Sequence, residues 1–206
     1  MEIILEDVGR RFNRDWVFQH VDYRFTAGAS YAVLGPNGSG KSTLLQVISS
    51  ALTPSAGRLT YQHNGKAVDI EQVYRYLSIA APYLELIEEF TLAEQIRFHF
   101  AHKGFLGGFD APSLMAYLEL DHAQHRQLRH FSSGMKQRVK LGLACCTDTP
   151  IVLLDEPTSN LDEEGVAWYL RLVEQTTANR LLVVCSNQAR EYDFCDHTIT
   201  ITDYKV

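Results

Sequence analysis

The chain lacks the features that would staple it, anchor it or charge it toward one kind of partner. Of its 206 residues only four are cysteine: Cys145, Cys146, Cys185 and Cys195. No Cys-x-x-Cys or other metal-ligand spacing occurs. Cys145 and Cys146 follow the apolar stretch Leu141-Gly142-Leu143-Ala144, so small buried thiols are expected. The eight histidines are scattered. His99 with His102, and His122 with His125, repeat a helical spacing without a third ligand, which favours solvated or half-buried rings over a metal site. No apolar run approaches the ~18 residues that a membrane-spanning helix needs, and no secretory leader opens the chain. Met1 to Asp7 already reads as a strand. A chain soluble by itself and made in the cytosol is expected. Positive charge is short as well: the net charge is −6, which argues against a general nucleic-acid surface. Internal repeats and low-complexity tails are missing. What remains is an ordinary globular balance, 46% hydrophobic and 21% charged, long enough for one domain over residues 1–206 with a proper core.

Against this plain background one segment stands out. Gly35-Pro36-Asn37-Gly38-Ser39-Gly40-Lys41-Ser42 reads G-x-x-x-x-G-K-[ST]. Successive backbone N–H groups in such a turn form a nest for phosphate oxygens. The glycines let the backbone bend and approach a ligand without Cβ clashes. Lys41 can reach the β- and γ-phosphates, and Ser42 can offer its hydroxyl to Mg²⁺. Tyr31 to Leu34 before the loop reads as a buried strand, and Ser42 to Ile48 after it has helical spacing, so the helix directs its positive end at the anion. Gly35 through Thr43 are the candidate nucleotide-binding residues.

The rest of the chain supplies an α/β setting. Residues 1–34 alternate apolar and polar, with turns expected at Gly9, at Asn13-Arg14-Asp15 and at Thr26-Ala27-Gly28. Gly57 to Gln62 reads as a strand entering a hairpin turn at His63 to Lys66. Val73 to Ala80 reads as another strand. Thr91-Leu92-Ala93-Glu94 is a capping box that opens a helix to about His102. Helices are also expected over Ala111–Leu120, Ser133–Cys146 and Glu163–Thr177. The apolar runs Ile151–Leu154 and Leu181–Cys185 read as buried parallel strands, and Thr198–Ile201 as a last strand. The predicted fold is a P-loop NTPase core with a mostly parallel sheet, an N-terminal antiparallel β region and a helical subdomain over about 82–146.

The strand Leu153-Leu154 ends in Asp155-Glu156-Pro157. Two carboxylates at a buried strand end are costly unless a cation or a reaction needs them. Asp155 can position Mg²⁺. Glu156 can polarise a water for in-line attack on a γ-phosphate, which makes Glu156 and Lys41 the catalytic candidates and Ser42 and Asp155 the metal candidates.

Together with these pieces, Phe131-Ser132-Ser133-Gly134-Met135-Lys136-Gln137-Arg138 resembles the signature motif of ABC ATPases, and Ser159-Asn160-Leu161-Asp162 is similar to that family's D-loop. The resemblance implies head-to-tail dimers holding two ATP molecules, with Ser132, Ser133 and Gly134 of one subunit facing the γ-phosphate held by the other, and Asp162 in the D-loop. It also implies an aromatic side chain stacked on adenine, Phe12 first and Trp16 second. Three positions depart from the family pattern. Ser133 stands where a glycine is commoner. Counting back from Thr91, Ala81 falls at the Q-loop glutamine, and alanine cannot ligate Mg²⁺ or orient water. Asn187 falls at the switch histidine, and asparagine carries no positive charge. An active but slow ATPase is expected.

The resemblance further implies separate transmembrane permease subunits, with this chain peripheral on the inner face of the cell membrane. Tyr83 to Glu89 and Phe105 to Phe109, in a segment rich in phenylalanine and leucine, are the expected contacts. The chain ends soon after its last expected strand, so no added regulatory domain is expected. An export role ranks first and a haem-exporter-like role in cytochrome c maturation second. A soluble assembly ATPase of the iron–sulfur type and a pure nucleotide sensor are the remaining alternatives.

Overall fold

The computed structural model describes residues 1–205. The antiparallel region begins with a long hairpin, β1 (Glu2–Phe12) and β2 (Asp15–Phe25), closed where Phe12 pairs with Asp15. Next come β3 (Ser30–Leu34), α1 (Lys41–Ile48), β4 (Ala56–His63), β5 (Lys66–Val68) and β6 (Leu77–Ala80). The helical segment contains α2 (Leu92–His102), α3 (Ala111–Tyr117) and α4 (Ser133–Cys145). The chain then runs through β7 (Ile151–Asp155), α5 (Glu163–Thr176), β8 (Leu181–Ser186) and β9 (His197–Thr200).

Two sheets result. One is antiparallel in the order β2-β1-β4-β5; the other is parallel throughout in the order β6-β7-β8-β3-β9. Alternation along the central strands explains the layering. Ile151 and Leu153 of β7 join the core shared with α1 and the antiparallel sheet, whereas Val152 and Leu154 join the core shared with α2 to α5. Strands buried on both faces need apolar residues at every position, hence the unbroken runs in β7 and β8. Helix α1 is too short to persist in water by itself. Leu44, Leu45, Val47 and Ile48 are all buried, so packing supplies its stability.

The helix starts follow the expected chemistry. Thr91 and Glu94 form the capping box of α2, and Asp110, Ser132 and Asp162 cap α3, α4 and α5. Several expectations are corrected. Gly9 is not in a turn but inside β1, where the pairing with β2 is irregular; a Cβ there would meet the Trp16 ring at 2.9 Å, so glycine makes room for the indole. The strand expected from Val73 is only β6, because Ile70–Arg75 coils into a 3-10 turn capped by Asp69. Helix α3 stops at Tyr117, three residues early, and Glu119 turns the chain at φ 61°. Ile201 leaves β9 to begin a 3-10 turn.

Candidate functional site

The C-terminal ends of the parallel strands carry the site, as is usual for open α/β sheets. Strand β3 delivers Gly35 to Ser42, β7 delivers Asp155 and Glu156, and β8 delivers Asn187. Their proximity follows from strand order, since β8 lies between β7 and β3.

The loop is shaped by glycine where the backbone demands it. Gly40 sits at φ 108°, and a Cβ there would lie 2.5 Å from Cγ1 of Val17. Gly35 would clash with the Ser39 hydroxyl in the same way. Lys41 is buried; its ammonium donates to the carbonyls of Gly35 at 2.8 Å and Pro36 at 3.2 Å, which holds the side chain over the loop. A cavity of about 270 Å³ opens here, lined by Val17, Asn37, Gly38, Gly40, Lys41, Ser42, Thr43 and Glu156. Glu156 reaches it from a left-handed backbone at φ 46°, a conformation that costs an L-residue energy and clusters at functional sites.

Asp155 is the anomaly. It is 1% exposed, and neither carboxylate oxygen has a hydrogen-bond partner. Burial pushes its carboxyl above the ordinary value, and the charge of Glu156 adds to this. Ser42 and Lys41 pull the other way, Ser42 without closing a hydrogen bond. Orphaned buried carboxylate oxygens are rare and costly. Together with the Ser42 hydroxyl they form a set of hard oxygen donors, which fits Mg²⁺.

The other expected residues lie around this centre or away from it. The Asn187 amide donates to Oδ1 of Asn37 at 3.2 Å, so the switch position touches the phosphate loop directly. Ala81 is buried and contributes only its backbone. Tyr83, two residues on, is 41% exposed; desolvation of the rest of its ring, with the Asp155 charge adding, pushes its phenol upward. Phe12 is 48% exposed beside the Arg10 guanidinium and does not line the cavity, and Trp16 packs over Gly9. Ser132 accepts from the Met135 N–H and, like Ser133, is exposed. Gly134 packs against the Asn160 carbonyl, which a Cβ would approach to 3.0 Å. Asp162 caps α5 through the Gly165 N–H at 2.8 Å. Within this chain the signature residues and Asp162 do not line the phosphate-loop cavity.

Two connections escaped sequence reasoning. Gln137 on α4 donates to the Pro157 carbonyl at 2.8 Å, which ties the signature helix to the segment after the acids. Glu191 is fully buried between that segment and the end of β8. An acid within Ala189-Arg190-Glu191 reads as solvated; only the nearby Ser186 hydroxyl and that of Thr158, distant in sequence, reveal otherwise.

Residues 18–159 match the family model described as ABC transporter. The chain belongs to the ABC transporter ATP-binding family. A cytochrome c biogenesis ATP-binding export protein, CcmA, from Agrobacterium fabrum is 30% identical over 84% of this chain and 83% of its own. The daunorubicin resistance ATP-binding protein DrrA3 of Streptomyces coeruleorubidus is 27% identical over 98% of this chain and 65% of its own. In fold, the chain matches the dimeric ATP-binding cassette MJ0796 bound to ADP and Pi with a TM-score of 0.82, at 21% identity over 99% of this chain and 96% of that one. The chain is thus an ATP-binding subunit of an ABC transporter, in a family of ATPases. Among the described residues no helix is long and apolar enough to cross a membrane.

Proposed function

We propose that this chain hydrolyses Mg·ATP at the Gly35–Ser42 loop and uses the cycle to drive export through separate membrane subunits. The observation that carries the catalytic reading is Asp155, a buried carboxylate without a donor at the strand end that also presents Glu156 to the phosphate-loop cavity. Gly38, Ser39, Gly40, Lys41, Ser42 and Thr43 bind the phosphates through backbone N–H groups, the Lys41 ammonium and the positive end of α1. Ser42 and Asp155 hold Mg²⁺, which when bound offsets negative charge on the β- and γ-phosphate oxygens. Glu156 accepts a proton from the attacking water. Asn187 donates to the γ-phosphate from the position where it now meets Asn37.

Ser132, Ser133 and the N-terminus of α4 serve the nucleotide of a second copy in a head-to-tail pair; their exposure leaves them free for this. Phe12, exposed on the hairpin, offers a ring face to adenine. Tyr83, Leu84 and Phe98 are exposed apolar groups on the helical side and are the proposed contacts with a membrane partner. Phe105 is less available, because its ring stacks on Phe100 at 3.6 Å. The protein would sit at the cytoplasmic face of the membrane, held by that partner. The role of CcmA as an export protein of cytochrome c biogenesis supports the direction, and also supports a second, narrower reading as a subunit of cytochrome c maturation.

Glu156→Gln tests the reaction. Turnover is expected to fall at least ~100-fold, the usual scale for a lost general base, while ATP affinity persists. Equal turnover in both proteins would remove Glu156 from its role.

A further inference from the structure

Glu191 carries a buried carboxylate that the reaction above does not use. It is fully buried, and each oxygen is taken by neutral donors from a different segment, one after β7 and one at the end of β8. Oε1 accepts from the Thr158 N–H at 2.8 Å and from the Thr158 hydroxyl. Oε2 accepts from the Ser186 hydroxyl. Ser186 in turn accepts from the Gln188 N–H at 2.9 Å, which closes the turn that presents Asn187. The Glu191 backbone carbonyl accepts from the Tyr169 hydroxyl at 3.0 Å, so the turn carrying the carboxylate is tied to α5 as well.

The two loops it joins have different duties. Thr158 lies two residues after Glu156 and directly after Pro157, whose carbonyl receives Gln137 from the signature helix. Ser186 lies directly before Asn187, whose amide meets Asn37 of the phosphate loop. A buried carboxylate is expensive, and packing alone would be served as well by an apolar side chain. A two-oxygen acceptor, however, can fix two loops to one another at set positions. We propose that Glu191 is a positioning residue for ATP hydrolysis, locking the Glu156 loop to the Asn187 loop so that both meet the nucleotide as one unit. The inference rests on the reading of Glu156 and Asn187 proposed above.

The test compares wild type with Glu191→Ala, Glu191→Gln and, as a destabilised control away from the site, Arg180→Met. Steady-state ATPase assays give kcat and KM, and amide hydrogen exchange follows residues 157–161 and 186–190. Misplacing a catalytic group by an ångström costs on the order of 100-fold, so Glu191→Ala is expected to lower kcat by about 10- to 100-fold with KM changed less than about threefold. Glu191→Gln keeps one acceptor for Thr158 and can donate to the Ser186 oxygen, so it is expected to restore most of kcat. Exchange is expected to rise in both loops together in Glu191→Ala and to stay near wild type in the glutamine variant. If Glu191→Ala does not fold, Thr158→Val removes the hydroxyl donor alone and should show the same loss of kcat at smaller size. Wild-type kcat in the alanine variant, a matching loss in Arg180→Met, or exchange that rises in neither loop or in only one would overturn the proposal. Wild-type turnover no faster than that of Glu156→Gln would count against the ATPase reading instead, and the exchange measurement, which needs no turnover, would still decide the role of Glu191.

Discussion

Neutralising Asp155 is expected to stabilise the nucleotide-free protein and at the same time to remove its response to Mg·ATP. Both oxygens of Asp155 are buried without a partner. Such a group costs about 1–3 kcal/mol, more when charged, and an amide in its place recovers only part, so Asp155→Asn should gain about 1–2 kcal/mol. For a chain of this size each kcal/mol moves Tm by about 2–4 °C, which gives a rise of about 2–8 °C. The pH dependence follows with a definite sign. Burial holds the folded carboxyl above its ordinary value, so between the ordinary and raised values the folded chain binds more protons than the unfolded one. Wild-type stability should fall as pH rises through that window, and the variant should lack this component. Thermal unfolding in EDTA measures the gain. Adding Mg²⁺ and a non-hydrolysable ATP analogue at about 100 times Kd should then stabilise wild type by about 2.7 kcal/mol, and the variant by much less. A variant that melts at or below wild type in EDTA, or that gains as much from the analogue, would refute the reasoning.

Gly40→Ala forces a Cβ to within 2.5 Å of Val17 at φ 108°; backbone strain of about 1–3 kcal/mol should weaken ATP binding roughly tenfold or more, read by nucleotide titration. Adding Val17→Ala should recover only part of this, because the φ penalty remains. Arg180 is buried and donates to the carbonyls of Cys145, Thr147, Thr149 and Thr176 and to the hydroxyls of Ser78 and Thr149. Arg180→Met should therefore cost about 3–4 kcal/mol in urea unfolding while ATP affinity stays unchanged.

The phosphate loop, the acids and the parallel strands were legible because local residues dictate them. Gly40 needs a positive φ, Asp155 ends an apolar run, and Ser132 caps its own helix. The capping box at Thr91 was equally local. What escaped depends on side-chain contacts and on a turn that the apolar pattern does not encode. Gly9 looked like a turn because its real reason, the Trp16 ring across the hairpin, is tertiary. Val73 looked like strand because nothing in its period excludes a 3-10 turn capped by Asp69. Counting placed Ala81 at the Q-loop position, where it is buried and offers only its carbonyl, to Lys140. Glu191 was invisible because its partners, Thr158 after β7 and Ser186 at the end of β8, meet it only in the folded chain.

The most direct measurement is a crystal structure of Glu156→Gln grown with Mg·ATP. The account predicts the γ-phosphate cradled by Gly38 to Ser42, with the cation between the Ser42 hydroxyl and the Asp155 side. Nucleotide bound elsewhere, or a cation that engages neither residue, would contradict it.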